Sequence, residues 1–272
     1  MIEALGREPL DYLTQSDFID GQRQSKEAWA GGSTLLPLYF DDDRSREKDT
    51  PGNYVILLTK RSKSVQQPGD LCAPGGGIHP FLDSVLANLL RFVLFPGIHG
   101  LSFKLARRRG RSIYKRILLL LSIALRESWE ELRLSPFNVE FLGVLPTYRL
   151  RHRNWIIFPM VGRVKHPWKP KPSWEVEKIV SIPLESFFCP ENYAIYSLEV
   201  PENLIAQGIP NPWEFPCLVQ KQDGEEEILW GATFEVIQTF FKIVFDFSFP
   251  ISAAARVIHR PLALNYFSGR EG

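Results

Sequence analysis

Cysteine is scarce: Cys72, Cys189 and Cys217 are the only three among 272 residues. They are odd in number and far apart, which excludes a disulfide framework and leaves no paired spacing for zinc. A reducing, cytosolic setting is the expectation that follows. Charge of one sign is lacking as well. The formal net charge is +1, so the field of the whole chain gives no case for a nucleic-acid partner, and anions must be met by local clusters. No apolar run reaches the roughly 18 uncharged residues that span a bilayer. The opening MIEALGREPLDYL has no basic start followed by an apolar run, so it does not read as a signal peptide. Internal repeats are missing too. What remains is an ordinary globular composition, 44% hydrophobic and 23% charged, with enough chain for a sizeable core.

The stretch with the most chemistry is Ala124 to Leu134. Read as a helix, it places Glu127, Glu130 and Glu131 on one face, because residues three and four apart are neighbours. Leu125, Trp129 and Leu132 would form the buried stripe behind them. Clustered carboxylates repel unless something positive lies between them, and a hard cation such as Mg²⁺ takes oxygen ligands while leaving positions for water and phosphate. Arg126, one turn before Glu130, is placed to pair with it. The plainer reading is a solvated helix face with one such pair, and these residues alone do not decide between the two.

Around that helix, Ser33 to Phe40 and Tyr54 to Thr59 read as strands, joined by the charged loop Asp41 to Asn53. Gly69 to Gly77 ends in three glycines after Pro74. It is either a plain tight turn or a loop whose backbone faces a metal–phosphate site. Val139 to Leu145 and Trp155 to Val164 read as strands, and the link between them carries Arg149, Arg151 and Arg153. Arginine forks match phosphate oxygens, so these are candidate substrate contacts, as is Arg61. Lys165 to Ser173 is a proline-rich linker, followed by Glu175. Tyr193 to Val200 and Phe215 to Gln220 read as further strands, Thr233 to Phe245 as a helix, and residues 246–272 as an irregular tail.

Residues 84–123 stand apart. Two apolar runs flank a basic stretch, Lys104 to Arg111. One reading is a helical hairpin packed on the domain or serving a dimer contact. The other is an interfacial element, apolar face in the lipid and arginines at the headgroups, which would make the protein peripheral to a membrane.

Taken together, the chain resembles the Nudix hydrolases. The carriers are Pro74-Gly-Gly-Gly-Ile78 and Arg126-Glu-Ser-Trp-Glu-Glu131. Leu57-Leu-Thr-Lys-Arg-Ser62 ahead of Pro74-Gly-Gly76 is similar to the opening motif of the coenzyme A pyrophosphatase subgroup. Leu142-Gly-Val-Leu-Pro146, Pro159, Glu175-Val176, Ile182-Pro-Leu184 and Trp230-Gly-Ala-Thr233 follow in order, so the resemblance covers about residues 33–245. It departs from the pattern in six places, one being the lack of the arginine that the coenzyme A motif expects near Gln66. Residues 84–123 split the signature. The acid expected soon after the glycines is missing, with Asp83 a displaced substitute. Arg133 and Ser128 replace a glycine and an apolar residue, and Ala73 stands where a phenylalanine is expected.

The resemblance implies an α/β fold, an α/β/α sandwich with a mixed sheet, as a single domain over 1–272 carrying the helical insertion. It implies hydrolysis of a diphosphate linkage with Mg²⁺ or Mn²⁺. Glu127, Glu130 and Glu131 would hold metal with a carbonyl of Gly75 or Gly76, and Glu127 or Glu175 would act as general base. Arg126 would be a structural tether. The substrate implied is coenzyme A or an acyl derivative. ADP-ribose or a dinucleotide is the runner-up, and a binding protein with catalysis lost is the alternative of another class.

Overall fold

The computed structural model describes residues 1–7, 30–41, 53–92, 100–150, 155–165, 168–206, 208–251, 256–263 and 266–267. The chain divides into two compact units. The first comprises 1–39, 73–173 and 239–247, the second 40–72, 174–238 and 248–272.

The first unit is built on a mixed sheet. Strand β1 (Ala30–Asp41) runs parallel to β7 (Trp155–Val164), with Ala30 opposite Trp155 and Tyr39 opposite Val164. The short β4 (Gly75–Gly77) pairs antiparallel to β1, and β5 (Val139–Val144) and β6 (Tyr148–Arg149) pair antiparallel to β7. Leu35, Leu36 and Leu38 are all buried, so β1 is covered on both faces, as its unbroken apolar run foretells. Ser33 is equally buried and donates from its hydroxyl to the Phe158 carbonyl at 2.9 Å. The α/β class and the mixed sheet expected from sequence are the ones found.

Helices α1 (Ile2–Arg7), α2 (Pro80–Phe92), α3 (Leu101–Arg108) and α4 (Arg111–Leu132) belong to this unit. Residues 84–123, expected from sequence as a helical insertion, are helical in most of their described parts, taking in most of α2, all of α3 and the first half of α4. Its inner side is anchored by aromatic packing: the Phe103 ring lies 5.1 Å from that of Phe141 and 6.5 Å from that of Tyr114. Helix α4 ends in a left-handed residue, Arg133, at φ 57°. Its N–H donates to the Trp129 carbonyl at 2.9 Å, and that of Leu134 to Ser128 at 3.2 Å. This is the C-terminal cap that glycine usually supplies. The arginine found where the resemblance expects glycine therefore adopts the glycine conformation, at a cost of about 1–2 kcal/mol.

The second unit holds β2 (Asn53–Arg61), paired antiparallel with β3 (Leu71–Cys72) and β8 (Val176–Pro183). It also holds a four-stranded sheet in the order β11 (Glu225–Trp230), β10 (Trp213–Gln222), β9 (Tyr193–Glu199), β12 (Arg256–Pro261). The last of these corrects the expectation of an irregular tail. Residues 256–261 form a strand because they find β9, parallel, as a partner; nothing in their local pattern calls for it. The short α5 (Glu202–Ile205) lies between β9 and β10 in sequence, and α6 (Gly231–Phe245) begins in this unit and ends in the first. Tyr193, Phe187, Phe234 and Phe249 pack as a cluster of rings.

Candidate functional site

The site forms where the C-terminal turns of α4 meet β4. The helix presents its acids because of what it buries. Leu121, Leu125, Ser128 and Leu132 recur at helical spacing and face the core. Ser128, not Trp129, completes that stripe. Trp129 is 45% exposed, with the Arg133 guanidinium 5.6 Å from its ring, so the sequence expectation is corrected by one position. Ser128 tolerates burial because its hydroxyl donates to the Ala124 carbonyl at 2.6 Å.

Arg126 is the hub. Its Nε donates to Asp83 Oδ1 at 2.8 Å and one terminal nitrogen to Asp83 Oδ2 at 3.4 Å. That same nitrogen donates to the Gly77 carbonyl at 3.0 Å, while the other lies 2.8 Å from Glu127 Oε1 and 3.1 Å from Glu130 Oε2. One guanidinium thus joins the glycine strand, the start of α2 and two acids of α4. Asp83 is fully buried, and its carboxylate also accepts from the His79 N–H at 2.6 Å, at the start of α2. Sequence reading took it for a displaced substitute. The structure seats it on Arg126, with 42 residues of chain between them in sequence. Burial and the paired acids pull the Arg126 guanidinium in opposite directions, and the acids prevail, holding it further above its usual range.

The glycines are there for contact. A Cβ on Gly76 would stand 2.3 Å from Glu127 Oε1, so the carboxylate lies directly on the strand backbone and a larger residue would displace it. On Gly32, opposite Gly77 in β1, a Cβ would meet the Gly76 carbonyl at 2.2 Å. The Gly75 N–H donates to Glu131 Oε1 at 3.1 Å, and Glu131 is buried. Glu130 is half-exposed. Burial raises the Glu127 carboxyl above its ordinary value, and Glu130 and Asp83 add to the rise against the lowering effect of Arg126.

The donor set is carboxylate and backbone oxygen only, which suits a hard divalent cation. Among the described residues no three acidic, histidine or cysteine side chains converge on one point. Glu127 and Glu130 are turned to Arg126, and Glu131 to Gly75. The residues nonetheless fit such an ion by type and reach. Glu130 is held only by a surface pair, worth roughly 0.3–0.5 kcal/mol, which a cation readily displaces.

The proline-rich linker also serves this helix. The N–H groups of Lys171 and Ser173 donate to the carbonyls of Leu132 and Glu131 at 3.0 and 2.8 Å, satisfying two groups that a helix end leaves open. Arg149 is an exposed residue of β6. Arg151 and Arg153 lie outside the described residues. Arg61 and Glu175 belong to the second unit. There Arg61 donates from Nε to the Gln66 carbonyl at 2.6 Å, and Glu175, in the turn before β8, is exposed and accepts from the Ser62 N–H at 2.8 Å.

No family model and no curated protein matches the sequence. Solved structures with a detectable likeness include Nudix proteins. A MutT/nudix family protein from Enterococcus faecalis is 11% identical, with 90% of this chain and 73% of that chain covered and a TM-score of 0.43. A Caenorhabditis elegans Ap4A hydrolase binary complex gives 14%, 57%, 81% and 0.35 for the same quantities. The Nudix domain of Shewanella oneidensis NrtR, complexed with ADP ribose, gives 13%, 61%, 82% and 0.35. These are likenesses of low degree, and the site is read from its own geometry.

Proposed function

We propose that this chain is a metal-dependent hydrolase of a diphosphate linkage, with coenzyme A or an acyl derivative as substrate. The observation that carries the reading is the Arg126 hub. Two halves of a signature, parted in sequence by the insertion, lie together: glycine strand, Asp83 and the glutamate turn within hydrogen-bond distance of one guanidinium.

In this reading Glu127, Glu130 and Glu131, with a carbonyl of Gly75 or Gly76, hold Mg²⁺ or Mn²⁺. The ion, when bound, neutralises phosphate oxygens and lowers the pKa of an attacking water. Arg126 positions the carboxylates and does not touch the substrate, being filled by Asp83, Gly77, Glu127 and Glu130. Glu127 accepts the proton of the attacking water. Glu175 is the alternative base. Arg149, Arg151, Arg153 and Arg61 are the candidate contacts for the outer phosphates.

The choice of coenzyme A rests on Leu57-Leu-Thr-Lys-Arg-Ser62 alone, so the test must separate substrates. Coenzyme A, ADP-ribose and a diadenosine polyphosphate are each incubated with Mg²⁺, Mn²⁺ or EDTA. Metal-dependent release of 3′,5′-ADP from coenzyme A supports the reading in full. Activity on the nucleotides alone keeps the metal site and discards coenzyme A. Silence on all three in every metal condition sinks the hydrolase and leaves a binding protein on this scaffold.

A further inference from the structure

The insertion is segregated in charge. Of 32 basic residues eight fall between Ser84 and Leu125, and of 31 acidic residues none does, so this segment carries +8 and the rest of the chain −7. Lys104, Arg107, Arg108, Arg111 and Lys115 are exposed along α3 and the start of α4.

The same helical region also carries an apolar stripe. A helix on the surface of a globular protein normally turns its apolar face inward and its charges outward. In α2 the acid, Asp83, is the buried residue, while Phe81 is 74% exposed and Leu82, Val85 and Leu89 between 43% and 48%. The remaining exposed residues of this helix's described face, Ser84 and Asn88, are uncharged. Phe81, Val85 and Leu89 lie one turn apart and form a row.

The Leu89 end of the row lies at the same end of the helix pair as the cations that open α4. The Asp83 carbonyl, which points along α2 toward its C-terminus, accepts from Ser122 Oγ at 3.0 Å. The Asp83 side chain, tilted toward the N-terminus of α2, meets Arg126. Advancing along α2 therefore means retreating along α4, so the helices are antiparallel. Leu89, six residues on, lies toward Lys115 and Arg111.

We propose that this helical insertion is a docking face for an anionic lipid surface. The α2 row enters the boundary between headgroups and chains, and the exposed cations of α3 and α4 meet headgroup phosphates. No helix of the described residues is long and apolar enough to cross a membrane, so the element lies on the surface. Two other occupants fit less well. A second copy docked through this face would bring +8 against +8. A nucleic acid would use the cations and leave the apolar row without a partner. The proposal does not depend on the hydrolase reading.

The test is sedimentation of the full chain with phosphatidylcholine vesicles, with and without phosphatidylserine, at low and high salt. Two double variants accompany it, Arg108→Glu with Lys115→Glu and Val85→Ser with Leu89→Ser. All four positions are exposed, so folding is checked by thermal melting against the wild type. The expected result is binding only to phosphatidylserine vesicles, weakened by salt and reduced at least ~10-fold in each variant. Failure to sediment at low salt overturns the proposal. So does binding unchanged by Val85→Ser with Leu89→Ser, which would leave a bare electrostatic contact. Duplex DNA binding with the same salt dependence and no response to that variant would assign the face to nucleic acid. A dimer in light scattering that the same variant dissolves would assign it to self-association.

Discussion

Asp83 is buried in the first unit and Asp70 partly buried in the second, and the two are satisfied by opposite means. Asp83 in the first unit meets a guanidinium, a backbone N–H and, through its carbonyl, a serine hydroxyl. Asp70 in the second meets two neutral donors, the Tyr266 hydroxyl at 2.5 Å and the Trp230 indole N–H at 3.2 Å. Burial outweighs those hydrogen bonds and the nearby charge of Arg61, pushing the Asp70 carboxyl up to about 6. A charged partner lets a buried acid join a site that must hold charge. Without a paired cation, burial prevails over the two neutral donors and favours the protonated acid. Asp70 and its donors close the loop before β3 onto the C-terminal segment, and the Gln67 N–H to Tyr266 carbonyl bond at 2.8 Å reinforces the closure.

The largest effect belongs on the charged side of this contrast. Glu131→Gln keeps an oxygen for the Gly75 N–H and removes only the charge. Turnover should fall at least ~100-fold with melting unchanged, since the lost carboxylate would help hold the cation that neutralises the reacting phosphate. Steady-state kinetics on whichever diphosphate the wild type cleaves decides it. Full activity in the variant would show that this acid only packs.

Asp83→Ala probes the same cluster for stability. Removing one partner of a buried ion pair costs about 3–5 kcal/mol. Arg126 retains Gly77, Glu127 and Glu130, so the lower end, about 3 kcal/mol, is the expectation from urea denaturation. A loss under about 1 kcal/mol would mean that the other acids suffice and that Asp83 is dispensable.

These residues also mark how far sequence reasoning reached. The glutamate turn was legible because its spacing is local, and Arg126 with Glu130 pairs as one turn of helix dictates. The strands flanking it were legible from apolar runs. Asp83 was not, because 42 residues of chain separate it from its partner and only packing of α2 on α4 restores the contact. Trp129 was misplaced because hydrophobicity suggested burial. The helix turns Ser128 inward instead, its hydroxyl satisfied within the helix. Asp70 was invisible: Trp230 and Tyr266 lie 160 and 196 residues further on. Strand β12 was missed for the same reason, since its partner is distant in sequence.

The neutral side predicts a pH dependence of definite sign. Asp70 has a folded value of about 6 against 3.8 for the free carboxyl. The native state therefore binds more protons between those values, and stability is lost as pH rises through that window. The shift corresponds to about 3 kcal/mol, fully present below the unfolded value and gone above the folded one. Asp70→Asn accepts the same hydrogen bonds without ionising. Urea midpoints of the variant should lack the wild type's fall between pH 4 and 6 (the window set by the two values). Identical pH profiles would show that Asp70 is not the titrating group.

Tyr266→Phe makes the finest cut. It removes the phenol donor and keeps the ring, which packs within 6.3 Å of Trp230 and 5.0 Å of Phe267. Below pH 4 the bond lost is between neutral groups, worth about 1 kcal/mol. Above pH 7 it is a bond to an ionised carboxylate, worth about 1.5–3 kcal/mol, and the Trp230 N–H alone remains. The variant should therefore lose more stability at high pH than at low, steepening the very dependence that Asp70→Asn abolishes. Combining the two substitutions should return a flat profile, because no ionisable group is left to respond. A double variant that still falls with pH would place the titration elsewhere and remove the distinction between the two aspartates.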